Sequence, residues 1–298
     1  MVQSFTVRQR QRGGRTTPAV PVPKVHLDDL NRTQIMGILN VTPDSFSDGG
    51  RFEEIEAALS HASALLRHGA DMIDVGGEST RPGAARVPVA EELRRVLPII
   101  RELAQAGIAV SVDTMNAATA AAAAEAGAAL INDVSGGLAD PDMARVVMDT
   151  GLPFVVMHWR GHSSGMNAAA LYGDVVFDVR RELEQRAAEL IVRGVDPAKL
   201  ILDPGLGFAK TSEHNWQLLG RLEELASLGL PLLVGASRKR FIGELLPAGV
   251  PPEGRDFPST IVAALASSRG AWAVRVHNVA ETRAALDVSD AWRWGSNA

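Results

Sequence analysis

The chain has 298 residues, is 46% hydrophobic and contains no cysteine, so it can bury a large core but cannot form disulfides, thiolate metal sites or a cysteine nucleophile. Its net charge of −5 is uneven: residues 1–27 carry Arg8, Arg10, Arg12, Arg15 and Lys24 with no acid, which leaves the other 271 residues at −10, a poor surface for nucleic acid. No apolar run approaches the roughly 18 residues of a membrane helix, and no signal-peptide core stands near the start, so a cytoplasmic protein without membrane or nucleic-acid partners is expected.

Residues 1–30 read as a disordered extension, rich in Arg, Gln, Gly, Thr and Pro and too poor in large apolar residues for an amphipathic helix. Residues 31–298 read as one domain in which apolar strand-like runs alternate with helical patterns. The first run, residues 34–40, leads into Val41-Thr42-Pro43-Asp44-Ser45-Phe46-Ser47-Asp48-Gly49-Gly50. A helix follows, with Ile55, Ala58, Leu59, Ala62, Leu65 and Leu66 at three- and four-residue steps and Gly69 to stop it. The second run, Met72-Ile73-Asp74-Val75, enters Gly76-Gly77-Glu78-Ser79-Thr80-Arg81-Pro82-Gly83. Six more runs end at Asp113, Asn132-Asp133, Met157-His158, Asp203, Ser237-Arg238-Lys239 and Arg275-Val276-His277-Asn278, with helical patterns at 89–106, 116–126, 141–150, 174–193, 215–228, 258–269 and 279–293.

Alternating β and α units require a parallel sheet with crossover helices, and eight units in about 265 residues is the size of a (β/α)8 TIM barrel. The competing doubly wound sheet would gather its polar residues at one switch point and favours a Gly-x-Gly-x-x-Gly turn after the first strand. Here that turn is absent and all eight runs end in polar groups, so the α/β class is expected in its barrel form.

Asp113, Asn132, Asp133 and Asp203 each end or follow a strand, and grouped at one barrel mouth they would accept from and donate to a flat nitrogen heterocycle. For Asp133, helix capping is the equal alternative. Ser237-Arg238-Lys239-Arg240 stands where a helix begins, a position that disfavours cations and suggests an electron-rich or anionic ligand. Arg275 and His277, two apart, share one strand face in the region where barrels hold phosphate. Asn278 with Glu281 reads as a helix cap. The two glycine-flanked loops can act as covers, and Arg81 is fixed by a turn beside the strand ends. His158 is placed at the mouth, while His26, His61, His68 and His214 are expected to face solvent or cap. No histidine pair has zinc spacing, and no nucleophile–base pair is evident, which leaves oxygen-bound Mg²⁺ as the expected metal.

These residues resemble dihydropteroate synthase over about residues 33–293, through both loop signatures, Asp203-Pro204-Gly205-Leu206-Gly207-Phe208-Ala209-Lys210 and Gly235-Ala236-Ser237-Arg238-Lys239. Met157-His158-Trp159-Arg160 is most similar to the actinobacterial branch, and Asn278 stands where the family often has aspartate. The resemblance implies condensation of 6-hydroxymethyl-7,8-dihydropterin pyrophosphate with p-aminobenzoate to 7,8-dihydropteroate in folate biosynthesis, by a homodimer that is a sulfonamide target. It implies that Asp113, Asn132, Met157, Asp203, Gly207, Phe208 and Lys239 hold the pterin, and that Asn40, Arg275 and His277 hold pyrophosphate, with Mg²⁺ on Asn40. Phe46, Thr80, Arg81, Pro82, Ser237 and Lys239 would shape the p-aminobenzoate pocket, and Asp48 would stabilise charge on the pterin methylene. Asp48, Lys239, Arg275 and His277 are thus the expected catalytic groups. Three alternatives remain: a non-catalytic pterin-binding paralogue, a pterin-dependent methyltransferase module, and a Schiff-base aldolase using Lys239.

Overall fold

The computed structural model describes residues 25, 27, 32–41, 51–78, 86–161 and 170–297. Phe46, Asp48, Thr80, Arg81 and Pro82, like Asp44 and Ser47, lie outside the described residues, as does most of the N-terminal extension. Eight parallel strands are formed: β1 (Gln34–Asn40), β2 (Met72–Gly76), β3 (Val110–Asp113), β4 (Leu130–Asp133), β5 (Phe154–Met157), β6 (Leu200–Asp203), β7 (Leu233–Val234) and β8 (Ala273–Val276). The described helices are α1 (Arg51–Arg67), α2 (Val89–Gln105), α3 (Ala117–Glu125), α4 (Met143–Thr150), α5 (Val175–Val192), α6 (Ser212–Gly220), α7 (Leu222–Ala226), α8 (Arg240–Gly243), α9 (Asp256–Ser268) and α10 (Val279–Asn297).

The strands pair in the order β6-β5-β4-β3-β2-β1-β8-β7. A parallel bridge between Leu202 and Leu232 closes the seam, with Leu202 N donating to Pro231 O at 2.8 Å. Closure leaves no open edge, which is the expected (β/α)8 barrel and excludes the doubly wound sheet.

Both faces of every strand are buried, and this is why the runs are apolar without alternation. Met36, Met72, Leu130, Val155, Ile201, Leu233 and Ala273 pack together inside the barrel with Trp272, whereas Ile35, Ile73, Ile131, Phe154, Leu200 and Val274 belong to the cluster between strands and helices. Val25 and Leu27 pack on the interior cluster, so the folded body reaches back into the segment that composition marks as extension. Because the side-chain period is two, the next inward position on each strand lies two residues further on. There the chain carries Ile38, Asp74, Asn132, Met157, Asp203, Gly235 and Arg275, so an apolar barrel floor gives way to a layer that bears the charged and amide groups.

Local signals set the helices. Asp174 caps α5 by accepting from Val176 N at 2.9 Å and Phe177 N at 3.1 Å. Gly69, at φ +99°, ends α1 as expected. The single helix expected over 215–228 is two: Arg221, at φ −122° and ψ 35°, separates α6 from α7. Its guanidinium pairs with Asp174 at 2.8 Å and Glu224 at 2.6 Å, and the preceding Gly220 weakens helix continuation.

Candidate functional site

The polar layer is organised around Arg275. From the inner face of β8, its Nε donates to Asp74 Oδ2 at 2.6 Å and its Nη2 to Asp113 Oδ2 at 2.7 Å. Asn132, register neighbour of Asp113, donates from Nδ2 to Asp74 Oδ2 at 3.2 Å. Asp74 is fully buried and Asp113 nearly so. Burial lifts the Asp113 carboxyl to about 7; the Arg275 cation pulls it down, and Asp74 pushes it up. Burial likewise works against the Arg275 charge, but Asp74 and Asp113 together raise its pKa.

Across the mouth, Asp203 accepts from Gly205 N at 2.7 Å. Its carboxyl is raised by burial, with Lys239 opposing. A β-carbon built on Gly235 would lie 3.9 Å from Asp203 Oδ2, 4.0 Å from Lys239 Nζ and 3.8 Å from Arg275 Cβ, so three of the expected groups surround one bare stretch of backbone. Lys239 donates from Nζ to Leu206 O and lies 4.9 Å over the Phe208 ring. Burial lowers its ammonium to about 8, with Asp203 pulling the other way. Met157 is the register partner of Asp203. Gly207, at φ +76°, passes so close that a β-carbon there would sit 3.1 Å from Lys239 Cδ. Asp113, Asn132, Met157, Asp203, Gly207, Phe208 and Lys239 thus converge at the C-terminal end of the barrel, a cleft edged with acceptors, cations and one aromatic ring.

The residues expected to meet an anion lie beside it. A β-carbon on Gly76 would be 3.5 Å from Asp113 Oδ2 and 3.7 Å from Asn40 Oδ1, which puts Asn40 at the rim near Arg275. Ser237 Oγ is 2.9 Å from His277 Nδ1 and accepts from His277 N at 3.2 Å. A hydroxyl and an imidazole therefore do meet here, contrary to the expectation that no such pair exists. Serine and histidine come from different strand ends 40 residues apart, brought side by side by the pairing of β7 with β8.

Several expected participants are placed elsewhere. Asp133 points away from the interior, by strand alternation from Asn132; it accepts from Ser135 N and Oγ at 2.7 Å and from Gly137 N at 2.9 Å. Burial raises its carboxyl to about 6, against those hydrogen bonds, and its work is to hold the β4–α4 turn. His158, next to Met157, also faces outward. Arg238, at φ +61°, is gripped by Asp256 at 2.6 and 2.8 Å, and exposed Arg240 pairs with Glu244 at 3.6 Å. Of the basic run only Lys239 enters the cleft, and α8, four residues long, is too short for a macrodipole argument. Asn278 caps α10 through Glu281 N at 3.1 Å, and His214 caps α6 with Thr211, as expected.

Asp74 reads in sequence as part of an apolar run, and its signal is an acid at the centre of an otherwise hydrophobic strand, where a structural sequence has no use for charge. Lys210 reads as the last residue of a glycine-rich loop, and its burial to 8% exposure has no local sequence signal.

Among the described residues, no three His, Asp or Glu side chains form a metal-binding group, and Asp74 and Asp113 are both engaged by Arg275. Asn40 offers a single amide oxygen. This donor set suits a Mg²⁺ ion whose ligands come mainly from diphosphate oxygens and water.

The profile of the family described as pterin binding enzyme matches residues 36–277. A dihydropteroate synthase of Mycobacterium leprae is 50% identical over 269 residues, covering 88% of this chain and 94% of that one. The Escherichia coli K12 dihydropteroate synthase is 45% identical over 264 residues, covering 88% and 93%. Among solved structures, Xanthomonas albilineans dihydropteroate synthase with 4-aminobenzoic acid superposes with a TM-score of 0.83 at 47% identity, over 89% of this chain and 94% of that chain. The same enzyme in complex with 7,8-dihydropteroate gives 0.80 at 44%, over 89% and 95%. With identity of this order over nearly the whole barrel, the chain belongs to the pterin-binding enzyme family, among its dihydropteroate synthases.

Proposed function

We propose that the chain condenses 6-hydroxymethyl-7,8-dihydropterin pyrophosphate with p-aminobenzoate, giving 7,8-dihydropteroate and pyrophosphate. The observation that carries this reading is the shared cleft of Asp113, Asn132, Asp203 and Lys239 with Arg275 and His277 at its edge. The carboxylates and amide suit the amino and ring N–H groups of a pterin, and Phe208 and Met157 offer it flat apolar contact. Arg275 and His277 suit the departing diphosphate, with Asn40 at the rim.

The dihydropterin can delocalise positive charge from its exocyclic methylene, so the C–O bond breaks before the amine attacks. Charge on the leaving diphosphate is met by Arg275 and by His277. With Ser237 Oγ–H donating to His277 Nδ1 at 2.9 Å, the ring proton sits on Nε2, as a donor to the diphosphate requires. Mg²⁺, held by the diphosphate and Asn40, would neutralise further leaving-group charge. Asp48, which would support the developing cation, and Phe46, Thr80, Arg81 and Pro82, which would shape the p-aminobenzoate pocket with Ser237, lie outside the described residues. The neutral aromatic amine needs no strong base.

The same reading extends to a cytoplasmic homodimer. On α9, Phe257, Ile261 and Leu265 form an exposed apolar stripe at four-residue steps, continued on neighbouring α10 by Val288 and Trp292. A stripe of this kind is the usual mark of an association face. The test of the activity is a Mg²⁺-dependent release of pyrophosphate that requires both substrates. Pterin pyrophosphate binding without any dihydropteroate formed would instead mark a non-catalytic pterin-binding protein.

A further inference from the structure

Behind the loop that carries Gly207 and Phe208 runs a line of ionisable groups that the proposed chemistry does not use, buried at Lys210 and His158 and partly exposed at Glu182 and Arg160. Lys210 turns its ammonium inward to three acceptors: Gly205 O at 3.0 Å, Phe208 O at 3.0 Å and His158 Nδ1 at 2.9 Å. His158 Nε2 lies 2.9 Å from Glu182 Oε2. Glu182 in turn receives Arg160 on both oxygens, at 3.0 and 2.5 Å. Arg160 lies 3.9 Å over the Tyr172 ring, and Tyr172 Oη donates to Ala209 O at 3.0 Å.

Three acceptors around one nitrogen match an ammonium, which has three N–H donors; a neutral amine has only two. The His158 nitrogen that faces Lys210 has to be unprotonated, which sets the ring proton on Nε2 toward Glu182. Burial, and then the Lys210 charge, hold His158 neutral by lowering it to about 4. Glu182 is held well below the ordinary carboxylate range by His158 and Arg160.

The loop needs an internal clamp. Gly205, Gly207 and Ala209 take φ values of +65°, +76° and +48°, a left-handed conformation that is costly for alanine. A β-carbon on Gly205 would meet His158 O at 2.4 Å, so the loop is drawn tightly against β5. The same loop presents Leu206 O to Lys239 and the Phe208 ring beneath it. Its shape therefore decides where two of the cleft's contacts stand.

We propose that Lys210 is a positioning residue whose ammonium, held by Gly205, Phe208 and His158, shapes the 205–209 loop and so places Phe208 and Lys239 against the pterin, with Glu182 setting the His158 tautomer. The proposal rests on the pterin reading of the cleft. Charge on Lys210 is opposed first by burial, then favoured by Asp203, opposed by Lys239 and Arg160, and favoured by Glu182, with the net effect of lowering it to about 7. Pterin binding, which needs the clamp closed, weakens as pH rises through that region and draws a proton onto Lys210.

The test is calorimetric titration of the full chain with 6-hydroxymethylpterin, which lacks the diphosphate, from pH 5.5 to 9, for the parent, Lys210→Met and Glu182→Gln. Thermal unfolding is recorded alongside. At pH 6 Lys210→Met should bind roughly 10–100-fold more weakly, as loss of a supporting contact behind a binding group does. The ratio of parent to variant affinity should then fall toward one by pH 9, since titration of the ligand and of Asp113 is common to both. Glu182→Gln should move the midpoint of the parent's pH dependence downward. A Lys210→Met protein that binds like the parent at pH 6, or a ratio flat from pH 6 to 9 as a purely structural lysine would give, overturns the proposal. If Lys210→Met does not fold, an unshifted midpoint in Glu182→Gln overturns it. A parent that binds no pterin at any pH removes the cleft reading, and the proposal with it.

Discussion

Arg275 Nη2 donates to Asp113 Oδ2 at 2.7 Å, so the acceptor best suited to a heterocycle N–H is held by the protein's own guanidinium. Pterin entry would exchange one partner of Asp113 for another, while Asp74 would keep hold of Arg275 through Nε. The arm released from Asp113 would then be available to a diphosphate at the cleft edge. This coupling favours an order in which the pterin pyrophosphate binds first. Tight binding of p-aminobenzoate to the protein alone, measured by calorimetry, would contradict it.

Asp113→Ala and Asp203→Ala should each weaken pterin binding by about 2–5 kcal/mol, the usual consequence of removing one member of a buried charged contact, with the barrel still folded. By contrast Asp133→Ala should lower stability by about 1–3 kcal/mol, because three donors in the β4–α4 turn lose their acceptor. Its folded fraction should bind pterin normally. Parallel binding isotherms and urea titrations separate the two outcomes, and an Asp133 variant that folds normally but fails to bind would put that carboxylate back in the cleft.

Arg275→Met should cost about 3–5 kcal/mol of stability near neutral pH, since Asp74 and Asp113 would be left side by side without their cation. The pH dependence has a definite sign. The Asp113 carboxyl is raised from 3.8 to about 7 in the folded chain, so the folded state binds protons more readily; the stability this contributes is full below pH 3.8 and is lost as pH rises through about 7. Without Arg275 the raised pKa moves higher still, and the variant's deficit should be large at pH 8 and small at pH 4.5. Denaturant midpoints at the two pH values check this, and an equal deficit at both would refute it.

Ser237→Ala should slow turnover by a factor of roughly 2–10, the worth of one hydrogen bond, by freeing the His277 ring that Ser237 holds at 2.9 Å. His277→Ala should slow it by on the order of 10²-fold, as loss of a preorganised contact to a developing charge does. If the two act together, Ser237→Ala will have little further effect in the His277→Ala background. Steady-state kinetics should show the Ser237 effect in kcat as well as in the KM for p-aminobenzoate; a change in KM alone would confine Ser237 to the aminobenzoate pocket.

Ile261→Asp with Leu265→Asp should leave the protein monomeric, because each puts a charge in the centre of the α9 stripe, and charge is disfavoured in the core of an association face. Both residues are already solvent-accessible, so the fold should survive. Sedimentation velocity reads the result, and an unchanged sedimentation coefficient would place any interface on another face.

Much of this protein is written locally. Eight uninterrupted apolar runs separated by amphipathic helices specify a parallel sheet buried on both faces, and the residues at the runs' ends, Asn40, Asp113, Asn132, Asp203, Lys239, Arg275 and His277, mark which end of it carries the chemistry. What local pattern leaves open is direction and partnership. Asn132 and Asp133 are adjacent polar residues, yet strand alternation sends one into the cleft and the other into a turn. Arg238 and Lys239 form one basic run, but a left-handed backbone and Asp256 take the first away. Asp74 meets Arg275 across 201 residues of chain, Ser237 meets His277 across 40, and Lys210 meets His158 across 52. A carboxylate's pKa, a histidine's tautomer and a lysine's charge are set by such neighbours, and those neighbours exist only once strands distant in sequence have paired: β5 with β6, β7 with β8, and β1 with both β2 and β8.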